Sequence, residues 1–292
     1  MKSVAQENNP LSRMRRQAIC AANLSAQNPR VTYPKLAAYA FPLTVLALAT
    51  VACMHATAKP ECPLVEPTVV SPREPTPKVD APIIATADET RTAFEKIYRD
   101  ADWGTNTSGI GNSGTGSTLA ATALYREYVQ TFMKQHDIKS VVDAGCGDWE
   151  FSQKLDWDGI DYKGYDIVPI LIEQNTKRFA KSNVQFFVGN MIEDDLPAAD
   201  LLISKHVLQH LPNADVKKFL DKQLKKYKHV LLTNGVNVEF LSGLNKDIKP
   251  GDYRELDITR PPFEVRAAKE LTYWANDYMH QVVHVDNTPG AK

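Results

Sequence analysis

The residues best suited to chemistry lie in the stretch VVDAGCGDWEFS, residues 141–152. Apolar residues run into Asp143, and a turn bracketed by Gly145 and Gly147 follows at once. Glycine adopts backbone torsion angles that a side chain forbids, and it lets a ligand approach the backbone closely. The stretch therefore predicts a buried strand, a tight ligand-binding loop and the first turn of a helix. Asp143 would stand at the strand's end, where open α/β sheets bind ligands.

A second acidic residue strengthens this prediction. Asp166 follows in the segment DYKGYDI, after a second predicted strand, and an acid about 20 residues beyond the glycine loop typically binds ribose hydroxyls. The spacing D-x-G-x-G lacks the third glycine of the dinucleotide fingerprint. The two acids and the glycine pair predict a site for a ligand with a ribose, and the missing glycine disfavours a nucleotide-dependent oxidoreductase.

With these motifs the chain, from about Phe94 to the C-terminus, resembles the class I S-adenosylmethionine-dependent methyltransferases. The resemblance implies a Rossmann-like α/β fold: a mostly parallel seven-stranded sheet, helices on both faces and a C-terminal antiparallel hairpin. It implies S-adenosyl-L-methionine as the cofactor, with Asp143 and the glycine turn at its methionine end and ribose. The residues that we predict to bind it are Asp143, Gly145, Cys146, Gly147, Asp148, Asp166, Ile167, Asn190, Met191 and Lys205.

Two of these positions need comment. Asn190 and Met191 stand where many members of the family have an acid and a neighbour that contact adenine. Asn190 departs from that pattern, although an amide oxygen can still accept a hydrogen bond from the adenine amino group. Cys146 is predicted to be a small apolar residue of the turn, because the resembling family often has cysteine there without using its thiol. The four cysteines are too scattered for a disulfide framework or a zinc cluster.

The candidate catalytic residues, His206 and His210, lie in the segment SKHVLQHLPN. The chains that this one most closely resembles usually carry Asp where His206 stands. An imidazole with a pKa of about 6.5 suits base catalysis near neutral pH, and local packing is the alternative for His206. No metal site is predicted, since neither His206 with His210 nor His280 with His284 has a third ligand in a recognisable motif.

Methyl transfer from a sulfonium requires positioning, exclusion of water and, for a hydroxyl acceptor, removal of a proton. Two loops could supply acceptor contacts. The glycine- and serine-rich loop at 103–117 is interpreted as a lid or as a plain connector. The pattern G-x-YR-x-LD-x-x-x-PPF places charges that contact a polar acceptor or pin the loop. The residues that we predict to bind the acceptor are Trp103, Ser117, Gln209, Tyr253, Arg254 and Asp257.

The expected acceptor is a hydroxyl group of a glycan or small molecule. The candidates beside the pocket are His, Asp, Tyr and Arg, and the aromatic-proline motif of enzymes that methylate amino groups of nucleic acids is missing. A net charge of −1 gives no global reason to bind nucleic acid. Two alternatives stay open. One is a protein side-chain methyltransferase. The other is a non-catalytic cofactor-binding module at a membrane, which is considered because His206 and Asn190 depart from the family pattern.

Periodicity and turn signals predict the helices and strands that carry these residues. The first helix would carry Phe94, Ile97 and Tyr98 on one face, with Asp88 as its cap. The remaining predicted helices span 118–136, 150–156, 169–181 and 214–226, and the predicted strands end at Asp166 or span 184–189, 199–205 and 229–235. An irregular segment to about residue 262 precedes two strands, ELTYWA and HQVVHV, joined by a turn at Asn276 and Asp277.

The N-terminal part predicts a different organisation. Residues 1–35 form a basic, unstructured leader, residues 36–54 an apolar segment, residues 55–86 a proline-rich linker, and residues 87–292 the methyltransferase domain with an N-terminal helical lid. The apolar segment is long enough to cross a bilayer, so a single-pass membrane protein is expected, with the domain on the non-cytosolic side. A cleaved organelle-targeting sequence and a buried helix are the alternatives.

Overall fold

The computed structural model describes residues 81–105, 112–237 and 243–290. These residues form one seven-stranded sheet in the order β3-β2-β1-β4-β5-β7-β6. The strands are β1 (Ser140–Ala144), β2 (Asp161–Asp166), β3 (Val184–Val188), β4 (Leu201–Lys205), β5 (His229–Val236), β6 (Ala268–Ala275) and β7 (Tyr278–Asp286). The helices are α1 (Ala87–Asp100), α2 (Ala123–Gln135), α3 (Pro169–Phe179) and α4 (Asn213–Gln223).

Strands β1 to β5 pair in parallel, and β7 pairs antiparallel with both β5 and β6. The predicted fold class is therefore confirmed, including the closing hairpin. Every residue of β4 and β5 is buried, as expected for parallel strands covered on both faces. Neighbouring residues alternate between two hydrophobic clusters: Val142 and Leu202 belong to one, Val141 and Leu201 to the other. The sheet thus lies between two apolar layers.

Helix α1 begins with a capping box. The hydroxyl of Thr86 accepts a hydrogen bond from the Glu89 backbone N–H (3.2 Å), and the Glu89 carboxylate accepts one from the Thr86 N–H (2.7 Å). The prediction that Asp88 caps this helix is wrong, because Thr86 stands one turn before the reciprocal partner. The apolar face is as expected, with Phe94, Ile97 and Tyr98 buried.

The helix expected at 150–156 is a single 3₁₀ turn, Ser152–Lys154. An α-helix there would join the N–H of Asp156 to the carbonyl of Ser152. The Asp156 N–H instead donates to Gln130 Oε1 (2.7 Å), and the indole N–H of Trp157 donates to the Ser152 carbonyl (2.8 Å). A tertiary contact with Gln130 and a local contact with Trp157 have taken both partners of the helical hydrogen bond.

The predictions for residues 1–80, including the apolar segment at 36–54, lie outside the described residues. Within the described ranges, no helix combines the length and apolar character needed to cross a membrane. The segment before α1 already contacts the domain, since the Ile83 N–H donates to Asp247 Oδ2 (2.8 Å).

Candidate functional site

A cavity lies at the carboxyl ends of β1, β2 and β4, the edge at which open α/β sheets bind ligands. Its lining includes all ten residues predicted to bind the cofactor, together with Trp103, Ser117 and His206. The remaining predicted residues, His210, Gln209, Tyr253, Arg254 and Asp257, are not among the lining residues. The structure therefore brings the predicted cofactor residues together and separates them from most of the predicted acceptor residues.

The glycine loop leaves no room for side chains. Gly145 and Gly147 have φ angles of +83° and +56°, a region that favours glycine. A Cβ atom at Gly145 would lie 2.3 Å from Val207 Cγ2, and one at Gly147 would lie 2.2 Å from Ser113 Oγ. Between them, burial raises the pKa of the Cys146 thiol well above its ordinary value, which keeps that thiol protonated.

Asp166 is held by the loop that it faces. Its Oδ2 accepts a hydrogen bond from the Gly147 N–H (2.9 Å) and its Oδ1 accepts one from the Val168 N–H (3.0 Å). Burial raises its pKa to about 6, against the opposing effect of these two bonds. Because each carboxylate oxygen can accept more than one hydrogen bond, Asp166 retains acceptor capacity toward the cavity.

Asp143 is also buried, at the end of β1. It accepts a hydrogen bond from the Tyr162 hydroxyl (2.7 Å). Burial raises its pKa to about 7, and this hydrogen bond opposes the shift. Asp143 is thus a carboxyl group whose charge a bound cation would stabilise.

Asn190 shapes the turn after β3. Its side-chain oxygen accepts hydrogen bonds from the Ile192 N–H (3.0 Å) and the Glu193 N–H (3.4 Å). The oxygen that was expected to meet adenine is therefore already an acceptor for two backbone groups. Met191 beside it is buried and lines the cavity.

Helix α1 and the segment after the undescribed residues 106–111 form one wall of the cavity. The Tyr98 hydroxyl lies 2.9 Å from Ser113 Oγ, which accepts a hydrogen bond from the Asp148 N–H (2.9 Å). Sequence reasoning missed Tyr98 and Ser113 as site residues, although the amphipathic face of α1 had marked Tyr98 as buried. The wall is thus joined by hydrogen bonds to the glycine loop.

Lys205, His206 and His280 form a hydrogen-bonded chain at the edge of the cavity. Lys205 Nζ donates to the Gly116 carbonyl (2.7 Å) and lies 3.1 Å from His206 Nδ1. His206 Nε2 lies 2.8 Å from His280 Nδ1, and His280 Nε2 lies 3.1 Å from the Ala275 carbonyl. Sequence reasoning missed His280 here, since it had weighed His280 only as a partner of His284.

The carbonyl at the end of this chain assigns the proton positions. The Ala275 oxygen can only accept, so His280 Nε2 carries a proton and His280 Nδ1 is an acceptor. His206 Nε2–H then donates to His280, which leaves His206 Nδ1 as the acceptor for Lys205. Both nitrogens of His206 are therefore engaged in hydrogen bonds. The predicted imidazole base thus has no free nitrogen, and its ring orients Lys205.

The same environment alters the ionisation of both groups. Burial, followed by the adjacent Lys205, lowers the pKa of His206 well below its ordinary value. Burial lowers the pKa of Lys205 to about 7, with Asp143 opposing the shift. His206 also has a φ of +58° and is so close to Gly116 that a Cβ there would lie 2.7 Å from its Nδ1. His206 is thus neutral and tightly packed.

His210 and Gln209 brace the neighbouring loop. His210 Nδ1 donates to the Asp252 carbonyl (2.9 Å), and its Nε2 lies 3.3 Å from Gln209 Nε2. Gln209 Oε1 accepts from the Gly235 N–H (2.7 Å). Burial lowers the pKa of His210 to about 4, and its ring lies tilted against that of Trp103, with 4.8 Å between the centroids. Both nitrogens of His210 therefore serve the loop.

Arg254 and Asp257 also hold the loop, but not through each other. Arg254 is 1% exposed and donates to the Leu208 carbonyl (3.0 Å) and to Asn213 Oδ1 (3.0 Å). Asp257 pairs with Lys269 (2.7 Å). Of the two readings left open by the sequence, these contacts favour pinning the loop.

Tyr253 is the exposed member of the same pattern. Its ring centroid lies 5.9 Å from that of His210 and 6.5 Å from that of Tyr278, and the residue is 46% exposed.

Comparison with known proteins bears on this cavity. A family model described as a methyltransferase domain matches residues 141–235, which begin in β1 and end in β5. A search of curated protein sequences gave no significant match.

Solved structures with a similar fold include the N-methyltransferase NodS from Bradyrhizobium japonicum WM9 in complex with S-adenosyl-L-homocysteine, at 12% identity and a TM-score of 0.52, covering 69% of this chain and 100% of NodS. Magnesium protoporphyrin IX methyltransferase from Synechocystis PCC 6803 is 14% identical with a TM-score of 0.47, covering 69% and 98%. Human N-acetylserotonin methyltransferase is 15% identical with a TM-score of 0.44, covering 57% of this chain, which spans only 54% of the human enzyme. The likeness to NodS, at this identity, shows a shared fold.

Proposed function

The chain carries a methyltransferase domain on the class I, S-adenosylmethionine-dependent fold, and on this premise we propose that it methylates a hydroxyl group of a glycan or hydroxylated small molecule. The observation that carries the proposal is the chain of Lys205, His206 and His280 at the edge of the cavity that would hold the cofactor. A hydroxyl acceptor must lose a proton, and this hydrogen-bonded series of side chains provides a group that can take it.

The cavity has the chemistry to hold the cofactor. Among the described residues that line it, the carboxyl groups of Asp143, Asp148 and Asp166 stand against one lysine, which suits a positively charged ligand. The glycine loop lets the ligand approach the backbone, and Asp166 retains acceptor capacity for ribose hydroxyls. When bound, S-adenosylmethionine supplies an electrophilic methyl group on a sulfonium.

Lys205 is the proposed proton acceptor. A neutral amine has two N–H donors and one lone pair, and the Gly116 carbonyl and His206 Nδ1 take up both donors. The lone pair is then left for the acceptor hydroxyl. With a pKa of about 7, Lys205 lies in the range where general-base catalysis works at neutral pH. A cationic ligand nearby lowers the pKa of an amine further, which favours the base form.

His206 and His280 are positioning residues in this proposal. They orient the lysine amine through a chain that ends on the Ala275 carbonyl. Trp103 and Ser117 line the cavity and are proposed to contact the acceptor. Gln209, His210 and the Tyr253 loop support that wall from behind.

The proposal is tested by incubating the full chain with methyl-labelled S-adenosylmethionine and fractionated extracts. We expect label in hydroxyl-bearing glycans or small molecules, with release of S-adenosylhomocysteine. Label found on protein side chains would establish the alternative acceptor class. Tight cofactor binding without transfer to any fraction would instead favour the non-catalytic module.

A further inference from the structure

A second cluster of ionisable side chains lies at the end of the sheet where β5 begins, opposite the carboxyl ends of the parallel strands. His229 begins β5, and Asp286 ends β7, its antiparallel neighbour. The two residues face each other in the strand register, and His284 stands two positions before Asp286. Because the cavity lies where β1, β2 and β4 end, this cluster is separate from it.

The three side chains converge on one point. His229 Nδ1 lies 3.1 Å from His284 Nε2 and 3.7 Å from Asp286 Oδ1. One ligand atom from each residue lies within 4.8 Å of the others. Zinc bonds to nitrogen and oxygen of about 2.0–2.2 Å place tetrahedral ligand atoms about 3.3–3.5 Å apart. The two measured separations bracket that value.

A further carboxylate orients one of the imidazoles. The register between β6 and β7 shifts between Lys269 and Leu271, so Glu270 is the extra residue of a β-bulge, a feature that re-aims a side chain. Glu270 Oε1 lies 3.5 Å from His284 Nδ1. A carboxylate on the far nitrogen of a histidine is the usual outer partner of a metal-bound imidazole.

Burial and access also fit a metal site. The side chains of His229 and His284 are 6% and 7% exposed, whereas that of Asp286 is 37% exposed. The exposed ring of His136 lies beside the cluster, 4.4 Å from the His229 ring between centroids.

We propose that His229, His284 and Asp286 bind a divalent transition-metal ion, Zn²⁺ in the first place, at the edge of the sheet opposite the cavity. Two imidazole nitrogens and one carboxylate oxygen form a donor set that zinc prefers. Water, or His136 after rotation of its side chain, completes the coordination. The ion would tie the start of β5 to the end of β7 and so stabilise the closing hairpin.

Zinc titration of the full chain tests this site. The protein is purified without a polyhistidine tag, treated with chelator and titrated with Zn²⁺ by calorimetry, and its melting temperature is measured with and without the ion. We expect one Zn²⁺ per chain and a higher melting temperature, because an ion that binds only the folded state stabilises it. Cobalt in place of zinc should give the visible absorption of a tetrahedral site.

Substitutions assign the ion to these residues. Asp286→Asn and His284→Gln should abolish the thermal shift, and Glu270→Gln should weaken Zn²⁺ binding by about 10- to 100-fold. Asp221→Asn, an exposed carboxylate on α4, is the matched control and should bind as the parent does. Asp286 and Glu270 are surface residues, so their variants serve even if His284→Gln fails to fold. Absence of binding at excess Zn²⁺, or binding that Asp286→Asn and Glu270→Gln leave unchanged, would overturn the proposal.

Discussion

His206 Nε2 lies 2.8 Å from His280 Nδ1, although the two residues are 74 positions apart in the chain. The contact arises because β7 inserts between β5 and β6, which brings His280 opposite Gly235 in the register. Since His280 donates its Nε2–H to the Ala275 carbonyl and accepts at Nδ1, the pair has a defined order of donors. That order directs the acceptor nitrogen of His206 toward Lys205.

Replacing Asp166 tests the cofactor site. Asp166→Ala should weaken S-adenosylmethionine binding by about 1.5–3 kcal/mol, the cost of losing hydrogen bonds to a charged group. Calorimetry on the full chain measures this. Asp161→Asn, an exposed acid at the other end of β2, is the control and should leave affinity unchanged. Equal affinity in both variants would remove Asp166 from the site.

Replacing Lys205 tests the base. Lys205→Met should lower kcat by about 10²- to 10⁴-fold, the usual cost of removing a general base, while cofactor affinity changes little. Lys205→Arg keeps a positive charge but cannot take a proton at neutral pH, so it should be as inactive as the Met variant. An active Arg variant would show that charge, and not proton transfer, is what Lys205 contributes.

The pH profile gives an independent test of the same role. Lys205 is a base only when neutral, and its pKa is about 7. The value of kcat/KM should therefore be low at pH values below this pKa and rise above it. The same rise in kcat should occur at lower pH, because the bound cation favours the neutral amine. Asp143 also has a raised pKa, of about 7, but ionisation of a carboxyl group has little enthalpy. A limb that does not move with temperature would therefore point to Asp143.

Burial of Lys205 also has a consequence for stability. Its pKa in the folded state lies below that of the unfolded chain, so between pH of about 7 and 10.4 the unfolded chain binds more protons. Stability from this group rises with pH across that window, and the cost of burial is full below it. Lys205→Met should therefore raise the melting temperature at pH 7, and the gain should shrink toward pH 10. Calorimetric melts at both pH values measure it.

Two glycines separate binding from catalysis. Gly116→Ala places a Cβ 2.7 Å from His206 Nδ1, and Gly147→Ala places one 2.2 Å from Ser113 Oγ. The first change should lower kcat with little effect on cofactor affinity, and the second should weaken cofactor binding. The two variants are matched controls for each other, and kinetics and calorimetry are measured on both. Equal loss of affinity in both would mean that His206 also supports the cofactor.

Arg254 should matter for stability and not for acceptor binding. Arg254→Met leaves the Leu208 carbonyl and Asn213 without their donor, which should lower the free energy of unfolding by about 1–3 kcal/mol. Urea denaturation measures this loss. KM for the acceptor should stay within twofold to threefold, and a large rise in KM with unchanged stability would return Arg254 to the acceptor site.

The strands and turns that were predicted from neighbours in sequence are present in the fold. The first strand with Asp143, the glycine turn and the acid at the end of the next strand are local signals, and Asp143, the turn from Gly145 to Gly147 and Asp166 all line the cavity. The helix predicted at 150–156 failed for the opposite reason. Gln130 and Trp157 take part in hydrogen bonds that its backbone would need. Gln130 lies 26 residues away, and no local sequence pattern predicts a partner at that distance.

The sequence alone therefore determined the class of fold and the residues at the floor of the cavity, because strand periodicity and turn chemistry are written in short stretches of chain. The tertiary structure decided which nitrogens are free. His206 and His210 appear equivalent in the segment SKHVLQHLPN, yet His280 and Lys205 occupy one, while Asp252 and Gln209 occupy the other. The proton-accepting role passes to Lys205 because its environment depends on β7 and on the loop at Gly116, which only the folded chain brings to the end of β4.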